Sequence, residues 1–226
     1  MTVRLFQTIT LGGLVAALAI TSCDKPKAVE NNAASAKSAV ASGAGGKWED
    51  WPQFRGLHNG IASALPQADA AKLALTKLWI APTDNGFGSF AVADARAFTL
   101  VTRDKKETLL ALDAKSGKEL WTQTLADAKY DGGGDSGERT NKGGDGARST
   151  PAVDDGKVYV IDGTVVVWCF DAKDGKELWK YDALKETGGE NIHWESAQSP
   201  VIDGDLILLA GGGKGKSLLA LNKGTG

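Results

Sequence analysis

The segment Ala111-Leu112-Asp113-Ala114-Lys115-Ser116-Gly117-Lys118-Glu119-Leu120-Trp121 decides how the rest of the chain reads. It returns almost unchanged as Phe170-Asp171-Ala172-Lys173-Asp174-Gly175-Lys176-Glu177-Leu178-Trp179, and in part as Ala220-Leu221-Asn222-Lys223-Gly224-Thr225-Gly226. Asp113 and Asp171 are 58 residues apart, and Asp171 and Asn222 are 51 apart. Working outward, Ala91 to Phe98, Ala152 to Tyr159 and Val201 to Leu208 superpose as a strand, an Asp/Gly turn and a second strand. Each unit therefore holds four short strands. Four-stranded units recurring every 40–50 residues or so predict an all-β protein built of β-propeller blades. Residues 48 to 226 hold about four such blades at ~45 residues each, so three to four are expected. Gly226 falls inside a repeat, and the expectation is of an incomplete ring whose chain continues beyond it.

The repeat has a physical logic. Asp113, Asp171 and Asn222 end strands, where a side-chain oxygen accepts from backbone N–H groups of the following turn. Gly117 and Gly175 sit where a tight turn asks for positive φ. Trp121 and Trp179 have the area to fill the seam between twisted neighbouring sheets, provided each indole N–H finds an acceptor. Ala111 is small because something large packs over it. The repeated residues thus read as core and seam, not as a ligand site.

At these residues the chain resembles the pyrroloquinoline quinone (PQQ)-like β-propeller repeat family, and the motif is similar to the tryptophan-docking motif of the quinoprotein alcohol dehydrogenases. The opening Asp50-Trp51-Pro52-Gln53-Phe54-Arg55-Gly56 is similar to the start of many exported members. The resemblance spans residues 48 to 226 and implies a propeller of six to eight blades. It does not imply catalysis, because the family includes non-catalytic lipoproteins of the envelope assembly machinery. The family's dehydrogenases carry an adjacent cysteine pair and a Glu/Asn/Asp calcium site. This chain has two cysteines, Cys23 and Cys169, which are not adjacent, and nothing that aligns with the calcium set.

Residues 1–22 read as an export signal: Arg4, then an uncharged apolar run from Leu5 to Ile20, then Thr21 and Ser22. At ~16 residues the run is shorter than the roughly 20 that span a bilayer. Ile20-Thr21-Ser22-Cys23 resembles a lipobox, which makes Cys23 the expected lipidation site and the protein a membrane-anchored lipoprotein facing the periplasm. Residues 23–47 lack aromatics and are nearly free of branched apolar side chains, the composition of a disordered Ala/Ser/Gly/Lys tether. The ordered domain is expected from Trp48 onward. Within it, residues 66–77 read as a short helical turn and Lys77-Leu78-Trp79-Ile80 as a strand.

The formal net charge of −2 gives nucleic acid no electrostatic purchase. Ala210 to Ser217, Ala-Gly-Gly-Gly-Lys-Gly-Lys-Ser, nearly fits a phosphate-binding loop, but it occupies the hairpin position of its blade and no helix is expected after it. The acidic Gly-rich loop from Asp131 meets no calcium-loop spacing. His58 and His193 stand apart from any ligand-spaced partner. No catalytic, cofactor-binding or metal-binding residue is assigned. The loops that lead into the first strand of each blade, Asn85 to Ser89, Ala147 to Thr150 and His193 to Ser199, share one face. Arg148, His193, Trp194 and Glu195 mix charge and aromatic character there and form the candidate binding face. The expected function is a membrane-tethered, non-catalytic scaffold with protein partners in the cell envelope. The alternatives are a fragment of a PQQ- and Ca²⁺-dependent dehydrogenase and, more remotely, a carbohydrate- or polymer-binding propeller.

Overall fold

The computed structural model describes residues 50–57, 60, 77–129, 134, 139 and 144–226, all within the compact unit Trp48–Gly226. The export signal, Cys23, the tether, His58, residues 66–76 and most of the acidic Gly-rich loop lie outside them.

Three antiparallel sheets follow one another along the chain. The first runs β1 (Ala91–Ala93), β2 (Arg96–Arg103), β3 (Lys106–Asp113) and β4 (Glu119–Asp127), and the strands pair in that order. The second repeats it with β5 (Ala152–Asp154), β6 (Lys157–Ile161), β7 (Val166–Asp171) and β8 (Glu177–Asp182). A five-residue helix, α1 (Ala183–Thr187), capped by Asp182, leads to the third sheet of β9 (Val201–Asp203), β10 (Leu206–Gly213) and β11 (Lys216–Asn222). These are propeller blades, each a meander from a three-residue inner strand outward. The segment from Ala210 to Ser217 is a β-hairpin joining β10 to β11, in agreement with its place in the repeat.

The core lies between blades. Phe98, Leu100, Leu109 and Ala111 of the first blade pack on Val153, Val158, Val160 and Phe170 of the second, all buried. Tyr159, Ile161, Val167 and Cys169 pack in turn on Ile207, Leu209 and Leu221 of the third. Because each blade buries one face on its neighbour, no blade completes a core alone.

The seam is made by tryptophan. Trp121 lies opposite Ala111 in its own blade, with its ring 5.8 Å from that of Phe98. Its indole N–H reaches into the next blade and donates to the Ala172 carbonyl at 3.2 Å, and a Cβ on Gly175 would stand 2.7 Å from the ring. The same geometry joins Trp79 to Ala114 and Gly117 on one side and Trp179 to Lys223 and Gly226 on the other. A one-residue irregularity precedes Trp121 and Trp179 at matching points of β4 and β8, and such bulges re-aim side chains. Trp121 and Trp179 therefore dock on the glycine turn of the following blade, not on the turn of the repeat to which each belongs in sequence. Asp113 Oδ1 accepts from the N–H groups of Lys115 and Ser116, Asp171 Oδ1 from Lys173, and Asn222 Oδ1 from Gly224 and Thr225, which shapes those turns.

One expectation is corrected. Among the described residues Lys77–Ile80 forms no strand ladder; the Trp79 indole anchors it, so an apolar pattern that suits an outer strand is used as a docking arm.

The docking contact is separable from turn strain. Gly156 and Gly175 both have positive φ, 68° and 75°, but a Cβ meets nothing at Gly156. Gly156→Ala should cost about 1–2 kcal/mol from backbone strain. Gly175→Ala should cost about 1–3 kcal/mol more, from overpacking against Trp121. Urea unfolding of the two variants gives the comparison; equal losses would show that the indole contact contributes nothing.

Candidate binding face

The loops leading into the three inner strands are chained to one another. Ser89 N–H donates to Thr150 Oγ1 at 2.8 Å, and Thr150 N–H donates to Ser199 Oγ at 3.0 Å. These residues stand two positions before Ala91, Ala152 and Val201, so a hydroxyl at one repeat position links each blade to the next. Thr102 adds a second tie: its Oγ1 accepts from Ala147 N–H at 2.8 Å, while its own N–H donates to the Asn85 carbonyl. The opening segment is stitched to the same inner strands. Trp51 exchanges both backbone hydrogen bonds with Val92, and the Pro52 carbonyl accepts from Val153 N–H at 2.7 Å.

Here a cavity of about 530 Å³ opens, within the size range of ligand sites. Phe54 and Arg55 come from the opening segment, Phe87 from the loop before β1, Arg148 and Thr150 from that before β5, residues 197–200 from that before β9, and Val201 from the start of β9. Beside it, the candidate residues do converge. The Arg148 guanidinium donates to the carbonyls of Trp194, Glu195 and Gly144, and Lys129 Nζ donates to the His193 carbonyl. Asn191 Nδ2 and Ser196 N–H both donate to the Gly163 carbonyl, at 2.8 and 3.0 Å. The segment 191–196 is thus tied to both the first and second blades. It shows Asn191 and His193 to solvent together with two large apolar side chains: Ile192 is 61% and Trp194 64% exposed, and His193 meets the Trp194 ring edge-on at 4.7 Å. Glu195 turns inward at φ 64°, and partial burial raises its carboxyl above the ordinary range against the opposing pull of Lys129 and Arg148.

Beneath this segment lies a group that sequence reading passed over. Glu107, the second residue of β3, is 2% exposed and accepts from Gly163 N–H of the second blade at 2.8 Å. A Cβ on Gly163 would touch both the Glu107 and Glu195 carboxylates, at 3.2 and 2.7 Å, so the two close on one point. Burial pushes the Glu107 carboxyl up to about 7; the Gly163 N–H pulls it down, Asp162 and Glu195 raise it, and Arg148 lowers it. In sequence Glu107 followed two lysines in a hairpin and looked like ordinary turn polarity. The Ser89, Thr150 and Ser199 hydroxyls, by contrast, recur at one position of the repeat, a signal that the sequence does carry. Cys169 is buried between the second and third blades, and burial pushes its thiol up to about 12, which makes it a packing residue, not a nucleophile.

A family model described as the outer membrane protein assembly factor BamB matches residues 65–226. The chain belongs to this family of PQQ-like propeller repeats. Among solved structures, the quinohemoprotein alcohol dehydrogenase of Comamonas testosteroni aligns at TM-score 0.51 and 22% identity, covering 78% of this chain and 26% of that one. BamB of Moraxella catarrhalis aligns at TM-score 0.39 and 22% identity over 66% of this chain and 37% of that one. The quinohemoprotein alcohol dehydrogenase ADHIIG of Pseudomonas putida HK5 gives TM-score 0.41 and 20% identity, over 66% of this chain and 21% of that one. The chain thus spans between a fifth and two fifths of the length of these three solved structures. No curated protein matches it. For the repeat family this chain belongs to, quinone and calcium are the groups to test. Among the described residues no three His, Cys, Asp or Glu side chains are placed to hold a metal ion, and Cys169 has no cysteine beside it. The described residues do not fit that cofactor set.

The buried carboxyl makes the seam sensitive to pH. The folded-state value of Glu107 lies above its ordinary 4.5, so the protonated seam is at full strength below about pH 4.5 and weakens as pH rises toward 7. The loss is up to about 3 kcal/mol. Glu107→Gln, which keeps an acceptor for Gly163, should be about 1–3 kcal/mol more stable than the parent at pH 8 and nearly equal at pH 4.5. Parallel unfolding profiles for the two chains across this range would refute the assignment.

Proposed function

We propose that this propeller repeat protein is an exported scaffold, anchored to a membrane through lipid on Cys23, that binds protein partners in the cell envelope and catalyses no reaction. One observation carries the reading: segment 191–196 is held by hydrogen bonds to two blades and yet holds Ile192 and Trp194 out to solvent. Large apolar side chains presented rigidly are what protein interfaces use as anchors, because little side-chain entropy remains to be lost on binding. The family's character as an outer membrane protein assembly factor supports the same reading. The residues also lie on loops, which carry binding on a rigid scaffold more often than strands do.

The test is site-specific photocrosslinking in intact cells, with the probe at Ile192 and, as control, at Lys115 in the turn after β3 on the opposite face. Discrete protein adducts are expected from position 192 and not from 115. Trp194→Ala should reduce them about tenfold or more, since aromatic anchors commonly contribute 2 kcal/mol or more. Adducts that survive Trp194→Ala would reject this face. Dye-linked alcohol oxidation by the purified protein with added PQQ and Ca²⁺ would overturn the scaffold reading in favour of a quinoprotein dehydrogenase.

A further inference from the structure

The cavity at the meeting of the lead-in loops has a chemistry of its own. Its lining includes two guanidinium groups, Arg55 and Arg148, and no aspartate or glutamate among the described residues. Arg55 has no carboxylate partner there; its guanidinium rests 5.4 Å from the Phe54 ring centroid. Its presentation is built in. Gly56 N–H closes a turn onto the Gln53 carbonyl, the Trp51 ring covers Gly56, and Arg55 sits at φ 63°, an uncommon conformation for a residue with a side chain. Strain of that kind persists where surrounding contacts over-determine it, and it gathers at binding sites. Arg148, on the other wall, spends Nη1 and Nη2 on backbone carbonyls, but its Nε is buried with no acceptor.

We propose that this cavity receives an acidic side chain from a partner polypeptide, flanked there by apolar residues. The proposal rests on the protein-binding reading above and names the partner's chemistry. Arg148 has the Glu195 and Glu107 carboxyls within its field, so Arg55 is the guanidinium with no counter-charge in the lining, and it calls for a carboxylate, which accepts from Arg in a planar, charge-assisted pair. The rim decides what carries the carboxylate. Phe54 is 50%, Phe87 41% and Val201 51% exposed, and all three line the cavity. A small free anion would leave that apolar rim in water, whereas a polypeptide covers it, with charged contact inside and apolar contact around. A neutral glycan would leave the Arg55 guanidinium unmatched. Trp194 stands three residues before the wall formed by residues 197–201, so a chain running across the rim meets the anchor proposed above.

The test uses the full chain and two fluorescent seven-residue peptides, one alternating aspartate with phenylalanine and the other alternating asparagine with phenylalanine. The aspartate peptide should bind at least about tenfold tighter, the scale of a charge-assisted pair, and the difference should shrink in high salt. Arg55→Ala should weaken it about tenfold and Arg55→Glu should abolish binding, while both variants keep the parental unfolding midpoint within a few degrees. Equal affinity for the two peptides overturns the proposal, as does an Arg55→Ala variant that binds like the parent. Phenylacetate is the third probe; if it binds as tightly as the aspartate peptide, the site is for small anions and the polypeptide assignment fails. Loss of the peptide effect with crosslinking at position 192 intact overturns this inference alone. Turnover with PQQ and Ca²⁺ overturns both readings.

Discussion

One contact repeats through the whole domain: an indole ring laid on the glycine turn of the following blade, with its N–H given to a carbonyl of that turn. The residue supplying the carbonyl has a second task. Ala114, Ala172 and Lys223 each donate their own N–H to the first turn of their blade, at Ala95, Gly156 and Asp205, all at 2.9 Å. A single peptide position thus ties the outer half of a blade to its inner half and to the preceding blade. Burial of the ring supplies most of the stabilisation; the N–H bond prevents a buried donor from going unmatched. Everything else between blades is arranged around this spacing. The Phe98–Trp121 and Tyr159–Trp179 ring pairs, 5.8 and 6.0 Å apart, continue the same seam inward.

Polar ties between blades differ in kind at the two faces. On the turn side, Lys223 pairs with Asp154 at 2.6 Å, partly in solvent and so of modest worth. On the side of the lead-in loops the ties run from backbone N–H to hydroxyl, at Glu107 from backbone N–H to a buried carboxyl, and from the Lys129, Arg148 and Asn191 side chains to backbone carbonyls. This second face is therefore both the more rigid and the more responsive to pH. It is also the face where the opening segment and three loops meet, so the candidate interface is built on the most cross-linked part of the domain. Rigid support beneath exposed apolar side chains is the arrangement expected where a surface must recognise and not rearrange.

Legibility in the sequence followed distance along the chain. Blade boundaries, turn residues and the alternation of strands were readable because they are set by neighbours within a few positions. The docking role of Trp was readable in kind but not in destination: the motif Asp113 to Trp121 looks like one unit, yet its tryptophan belongs to the turn at Gly175 and its glycine to Trp79. Arg148, His193, Trp194 and Glu195 were picked for their mixed character, and their mutual placement came from backbone carbonyls that no side-chain pattern reports. Glu107 and Arg55 were passed over because a charged residue in a polar turn is usually solvated, and only burial or a missing counter-charge marks it as different.

By itself, then, the sequence determined the repeat, the four-stranded unit and the residue types of the seam, since strand alternation and turn chemistry are local and recur at a fixed interval. Only the tertiary structure decided which tryptophan meets which glycine, that Glu107 and Glu195 close on Gly163, and that Arg55 and Arg148 share one cavity. Those pairs join different blades or the opening segment to a blade. Their distances are set by how twisted sheets stack, a property of the assembled array and of no single repeat.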